Sequence, residues 1–154
     1  MMSVKEDNFK ATKTLIKLGA NVNIKDNDGN NVLIYAAKND NVDMIKLLIK
    51  LGIDVNIQNN FGETALMYAI KYCNFENIEY LVKKGANILI KNNENKTAIN
   101  IALDEANIVI PSAYQKYKAI AGYLSYMLRK QYNKKRNDNK IIKNNILNSK
   151  KFFI

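Results

Sequence analysis

Histidine and tryptophan are absent from the 154 residues, and cysteine and proline occur once each. The missing histidine removes the commonest general base near neutral pH and the commonest metal ligand. The lone Cys73 rules out an internal disulfide, and no imidazole is present to activate it as a nucleophile. An unbridged chain is what an intracellular, cytoplasmic or nuclear, setting favours. Long apolar runs are also missing. The nearest is AIAGYLSYML at 119–128, about half of the roughly 20 residues that a membrane span needs. The opening MMSVKEDNFK lacks the basic-then-apolar order of a secretion signal. There is no glycine-rich phosphate loop and no paired-cysteine metal motif. The stretch DNDGNN at 26–31 starts like a calcium loop, but Asn31 and Ala37 stand where glycine and a bidentate glutamate are required. No catalytic residue, metal, cofactor or small-molecule substrate is therefore expected. Asn, Lys and Ile are plentiful, at 25, 22 and 20 residues, so no single one of them carries weight by its type alone.

What the chain does contain is a repeat. Residues 26–58 and 59–91 are two copies of one 33-residue unit, with Gly29 over Gly62, Leu33 over Leu66, Ala36 over Ala69, Leu48 over Leu81 and Gly52 over Gly85. LIKLGANVNIK at 15–25 continues the same columns upstream, which adds Gly19. A period of this length signals stacked units rather than one closed core. Within a unit, Leu66, Ala69 and Ile70 mark the apolar face of a first helix that Thr64 can cap. Ile78, Leu81 and Val82 mark a second helix, stopped by Gly85 at a position that favours positive φ.

The unit length, the Gly-x-Thr-x-Leu-x-x-Ala opening (Gly62, Thr64, Leu66, Ala69) and the Leu-x-x-x-Gly close resemble ankyrin repeats over about residues 9–107. The resemblance implies an all-α fold: an ankyrin-repeat solenoid of helix-turn-helix units with β-hairpin-like tips and a C-terminal capping helix. The expected divisions are a shortened first unit at 1–25, repeats at 26–58 and 59–91, a divergent last repeat with its capping helix at 92–132, and a basic, disordered tail at 133–154. Two departures from the family pattern stand out. Its Thr–His hydrogen bond is expected to be missing from every unit, because the stretches read Asn31-Val32-Leu33-Ile34, Thr64-Ala65-Leu66-Met67 and Thr97-Ala98-Ile99-Asn100. Its inter-helix glycine is replaced by Asp40, Cys73 and Ala106, so the positive-φ residue is expected one place on, at Asn41, Asn74 and Asn107.

The fourth unit loses register at IVIPS (108–112). Ser112 and Gln115 form a candidate capping box for a helix of about 20 residues, with Tyr114, Tyr117, Ala121, Leu124 and Leu128 as its apolar stripe. Such a helix is expected to cover the last unit, as solenoids require. Charge is uneven. Residues 1–110 hold 13 lysines and 13 acids, whereas residues 111–154 hold nine lysines, two arginines and one acid, Asp138.

The resemblance implies a non-catalytic scaffold that binds a protein partner through its repeat tips and concave helix face. Carried over by position, the candidate contacts are Asn27, Asp28, Asn30, Asn60, Phe61, Glu63, Glu94 and Lys96 at the tips, with Lys38, Asn39, Lys71 and Tyr72 on the helix face. Phe61 and Tyr72 are the residue types that anchor interfaces. The basic tail, with Arg129, Lys130, Lys134, Lys135 and Arg136, is a candidate contact for nucleic acid or an anionic membrane. The shortened first unit leaves its apolar stripe half-covered, so weak self-association is expected there.

Overall fold

A computed structural model describes residues 10–16, 18–108 and 111–150, with side chains apart from those of 108, 111, 112 and 140–150. Helix α1 covers residues 10–16. It is followed by α2 (Val32–Lys38), α3 (Val42–Lys50), α4 (Ala65–Lys71), α5 (Phe75–Lys83), α6 (Ala98–Ile108) and α7 (Pro111–Lys150). Helices α2, α4 and α6 stack as one row, and α3 and α5 lie against them as a second row, with α7 packed on α6. No strand occurs among the described residues; the tip closing on α2 is tied by a single antiparallel bridge, Lys25 to Asn31.

Each second helix stops in the same way. Gly52 adopts φ 85°, its amide donates to Ile49 O, and the Ile53 amide donates to Leu48 O. This pair of bonds satisfies the last carbonyls only when a left-handed residue follows the helix. Gly19 and Gly85, with φ of 89° and 94°, repeat the arrangement. First helices begin on side-chain caps: Asn31 Oδ1 accepts from the Ile34 amide and Thr64 Oγ1 from the Met67 amide. In the fourth unit Thr97 Oγ1 donates to Asn100 Oδ1 at 2.7 Å, and Asn100 Oδ1 also accepts from the Thr97 amide at 3.0 Å. A Thr–His bond is absent, since the chain has no histidine, but in the fourth unit the Asn100 amide oxygen bonds Thr97 in its place.

The inter-helix turn also differs from expectation. Positive φ stays in the original column, at Asp40 (53°) and Cys73 (56°). Asn41 and Asn74 have φ of −109° and −88° and serve as N-caps of α3 and α5. Asn41 Oδ1 accepts from the Met44 amide, while Asn74 Nδ2 donates across to Ala37 O. Two non-glycine residues are therefore held in a region that costs an L-residue about 1–2 kcal/mol. Asp40 is exposed, so Asp40→Gly is expected to stabilise the fold by about 0.5–1 kcal/mol after the entropy cost of glycine is subtracted. Urea denaturation checks this, and an unchanged or lower midpoint would mean that the turn stores no strain.

The core is continuous through the stack. Leu33, Ala37, Ile45, Leu48, Leu66, Ala69, Ile70, Ile78, Leu81 and Ala102 are all buried. At the first unit the columns are open: Leu15 is 57% exposed, although Leu48 and Leu81 in its column are 0% exposed. Leu18 and Ile24 are exposed beside it. This is the surface on which the expected self-association rests; the remainder of that unit, residues 1–9, lies outside the described residues.

The C-terminal helix departs furthest from expectation. It begins at Pro111, where proline suits a first helical position, so Ser112 lies inside the helix rather than at its cap. Among its described side chains, Tyr117, Ile120, Ala121 and Leu124 are buried. Ile120, outside the expected stripe, is buried, while Tyr114 is exposed and Leu128 only half-buried. Where a disordered tail is expected from residue 133, α7 runs unbroken for 40 residues to Lys150, about 60 Å at the α-helical rise; residues 151–154 of that tail lie outside the described residues.

Candidate functional site

The repeat tips are built by one side chain each. Asp26 Oδ1 accepts from the amides of Asp28 and Asn30, at 3.0 and 2.8 Å. Asn59 Oδ1 takes those of Phe61 and Glu63, at 3.0 and 2.9 Å, and Asn92 Oδ1 those of Glu94 and Lys96, at 3.1 and 2.9 Å. A short side-chain carbonyl or carboxylate that accepts backbone amides two and four residues on is what folds a polar loop back on itself.

Successive tips are then bonded to each other. The Asn60 amide donates to Asp28 O and the Asn93 amide to Phe61 O. Asn60 Nδ2 donates to Asn27 O and Asn93 Nδ2 to Asn60 O, both at 2.9 Å. Lys25 Nζ reaches Gln58 O, and Gln58 Nε2 reaches Lys91 O. These bonds recur between equivalent or neighbouring positions of adjacent units, so the tips form a ladder rather than independent solvated loops.

Several candidate contacts are consequently occupied within the fold. Asn27 supplies a carbonyl and Asn60 a side chain to the ladder. Asn30 donates to Asp26 Oδ2 and accepts from Asn59 Nδ2. Glu63 is buried and ion-paired with Lys71, whose ammonium lies 5.7 Å from the Tyr68 ring centre. Lys96 Nζ sits between Glu94 and Asp104, at 3.0 and 3.1 Å, and these two carboxylates hold its ammonium above the ordinary lysine range. Asn39 caps the end of α2 and lines a small cleft with Thr12, Tyr35 and Met44.

Asp28 is exposed, with its backbone carbonyl in the ladder, and Glu94 is exposed beside Lys96; the other outward-facing candidates are aromatic and cationic. Phe61 is 53% and Tyr72 49% exposed. Lys38 Nζ lies 5.8 Å from the Tyr72 ring centre, a cation over a π face that links α2 to the end of α4. Tyr35, which the sequence reading passed over, is 42% exposed and lies three residues before Lys38 on α2. Its hydroxyl donates to Asp26 Oδ2 at 2.6 Å. That bond is the main cause holding the Asp26 carboxyl below its usual 3.8, and it raises the Tyr35 phenol above 10.0. One unit on, Tyr68 accepts from Asn59 Nδ2, and burial, with the Glu63 charge, pushes its phenol up. The signal for these tyrosines was their shared column, 33 residues apart.

Burial pushes the Cys73 thiol above 9.0, which disfavours the nucleophilic thiolate. Among the described residues no group of three or more His, Cys, Asp or Glu could hold a metal ion, and no helix is long and apolar enough to cross a membrane. Arg129, Lys130, Lys134, Lys135 and Arg136 are all exposed, on the part of α7 that follows Leu124 and Leu128.

A search of the curated proteins finds no match to the chain. The family model for ankyrin repeats matches it with three copies, over residues 1–92 and 52–110. With the 33-residue columns, the glycine-stopped helix pairs and the bonded tips already described, the chain belongs to the ankyrin repeat family.

Proposed function

We propose that this protein is a non-catalytic scaffold that binds a protein partner through the face formed by Tyr35, Lys38, Phe61 and Tyr72. Ankyrin repeats are in general protein–protein interaction modules. The observation that carries the assignment to this face is the exposure of Phe61 on a ladder of bonded tips and of Tyr72, under Lys38, at the C-terminal end of α4. Large aromatics add contact area while losing little side-chain entropy, and a frame that is already ordered avoids much of the cost of ordering on binding. Lys38, stacked on Tyr72, adds a positive charge beside the aromatics and favours a partner segment that is apolar with an acidic neighbour.

Phe61→Ala and Tyr72→Ala together are expected to abolish capture of protein partners from a cell lysate. Hot-spot truncations of this kind cost about 2 kcal/mol or more each in binding. The unfolding midpoint is expected to stay near that of the parent, since both side chains are about half exposed. Unchanged capture with both aromatics removed would refute the assignment of this face.

A further inference from the structure

Helix α7 is two objects in one element. Its first part is the cap, buried at Tyr117, Ile120, Ala121 and Leu124. From Arg129 to Asn139 every side chain is exposed, so this stretch buries no side chain against the described residues. From Arg129 to Lys150 the sequence carries six lysines and two arginines against one acid, Asp138. The helix continues through this whole stretch, about 33 Å at 1.5 Å per residue.

Its charges are not confined to one solvated side. Arg129 and Arg136 share one flank, Lys130 and Lys134 a second, and Lys135 a third, about 120° apart at 3.6 residues per turn. Lys130 and Lys134 stand at i and i+4, where like charges repel; a polyanion relieves that repulsion. Between the cations stand Gln131, Asn133, Asn137 and Asn139, side chains that hydrogen-bond to phosphate and to base edges. Tyr132 is the sole aromatic or aliphatic side chain from 129 to 139. Ile141, Ile142, Ile146 and Leu147 follow only beyond Asn139, so the segment that carries the cluster Arg129 to Arg136 offers no apolar face to enter a bilayer, as an interfacial helix requires.

We propose that the extension of α7 beyond the cap binds duplex DNA, lying in the major groove and held mainly by phosphate contacts. A bare helix about 10–12 Å across fits a groove about 12 Å wide with cations directed at both walls. The major groove of duplex RNA is too deep and narrow for this. The surface is separate from the aromatic face of the repeats, so the two readings stand or fall apart.

Fluorescence anisotropy of the full chain with a labelled duplex of about 20 base pairs tests the proposal. Four phosphate contacts would weaken binding roughly 150-fold between about 50 and 200 mM salt. Replacing Lys130, Lys134, Lys135 and Arg136 together by glutamine should remove about 3–4 from the slope of log affinity on log salt. The unfolding midpoint should stay fixed, because none of the four touches the core. The Phe61→Ala, Tyr72→Ala double variant should bind DNA as the parent does. Absence of binding at low salt, an unchanged slope in the quadruple variant, equal or tighter binding to duplex RNA, or preferential binding to phosphatidylserine vesicles would each overturn the proposal.

Discussion

Gly62→Ala is expected to destabilise the protein by about 3 kcal/mol, while Gly52→Ala should cost only about 1–2 kcal/mol. Both glycines have positive φ, 73° and 85°, so both substitutions meet the left-handed penalty of an L-residue. They differ in what the new methyl group would touch. At Gly52 there is nothing within 4 Å. At Gly62 a Cβ would stand 2.6 Å from Asn93 Oδ1, 2.9 Å from Asn93 N and 3.0 Å from Asn92 Cα. Two of those atoms are backbone, in the very strand of loop whose Asn93 amide donates to Phe61 O. The methyl can be accommodated only by prising the two tips apart, which strains or breaks the ladder bonds of Asn93. Urea unfolding of the two variants side by side isolates that contribution, because the backbone strain is common to both. Equal losses would show that the tips yield freely and that their bonds add little order. Asn95 occupies the same column in the last unit with φ 62° and has no further unit beyond it to meet, which is why a side chain is tolerated there.

The repeat body was legible because its constraints are periodic. A glycine that ends each second helix, an alanine where helices approach and a leucine in each core layer recur every 33 residues, and each is demanded by local geometry. The misjudged features are those in which two demands meet at neighbouring positions. Asparagine tolerates positive φ better than most residues, so Asn41 and Asn74 read as the turn residues. Asparagine is also among the best N-caps, and at Asn41 that use prevails, with Oδ1 bound to the Met44 amide. The strain is left on Asp40 and Cys73, and the type of neither residue announces it. At the tips, Asn60 and Glu63 looked free because polar loop residues usually are; Asn60 reaches Asn27 one unit away, beyond single-unit reasoning, and Glu63 pairs with Lys71 at the far end of α4 in its own unit. The extension of α7 was missed for a different reason. From Arg129 to Asn139 the helix is polar on every side and has no hydrophobic period to detect, and the composition of the whole extension is that of an unstructured tail. Its helical state follows from growth on the packed segment: nucleation is the costly step, and the cap has already made it.

Leu124→Ala is expected to cost about 2–5 kcal/mol, the range for emptying a fully buried leucine site. Leu124 is 0% exposed, and together with Ile120, Ala121 and Tyr117 it seals α6 at the end of the stack. Tyr117 Oη also donates to Lys71 O at 3.0 Å, and Tyr123 lies against Phe75 with ring centres 5.6 Å apart. The same helix therefore reaches past α6 to α4 and α5. In a stack whose units touch only their neighbours, loss at one end propagates inward as fraying rather than as uniform weakening. Hydrogen exchange should accordingly quicken first in α6 and α7 of the Leu124→Ala protein, with α2 and α3 protected longest. Tyr117→Phe removes a single hydrogen bond and should cost about 1 kcal/mol, a control for loss of contact without a cavity. If Leu124→Ala changes stability by less than about 1 kcal/mol, or if exchange rises evenly along the chain, α7 is not the cap. If the expected pattern is found, the cap also governs the basic extension. Unseating the helix at Leu124 removes the packed nucleus from which residues 129–150 extend, so far-UV circular dichroism should lose helix from the extension along with the cap.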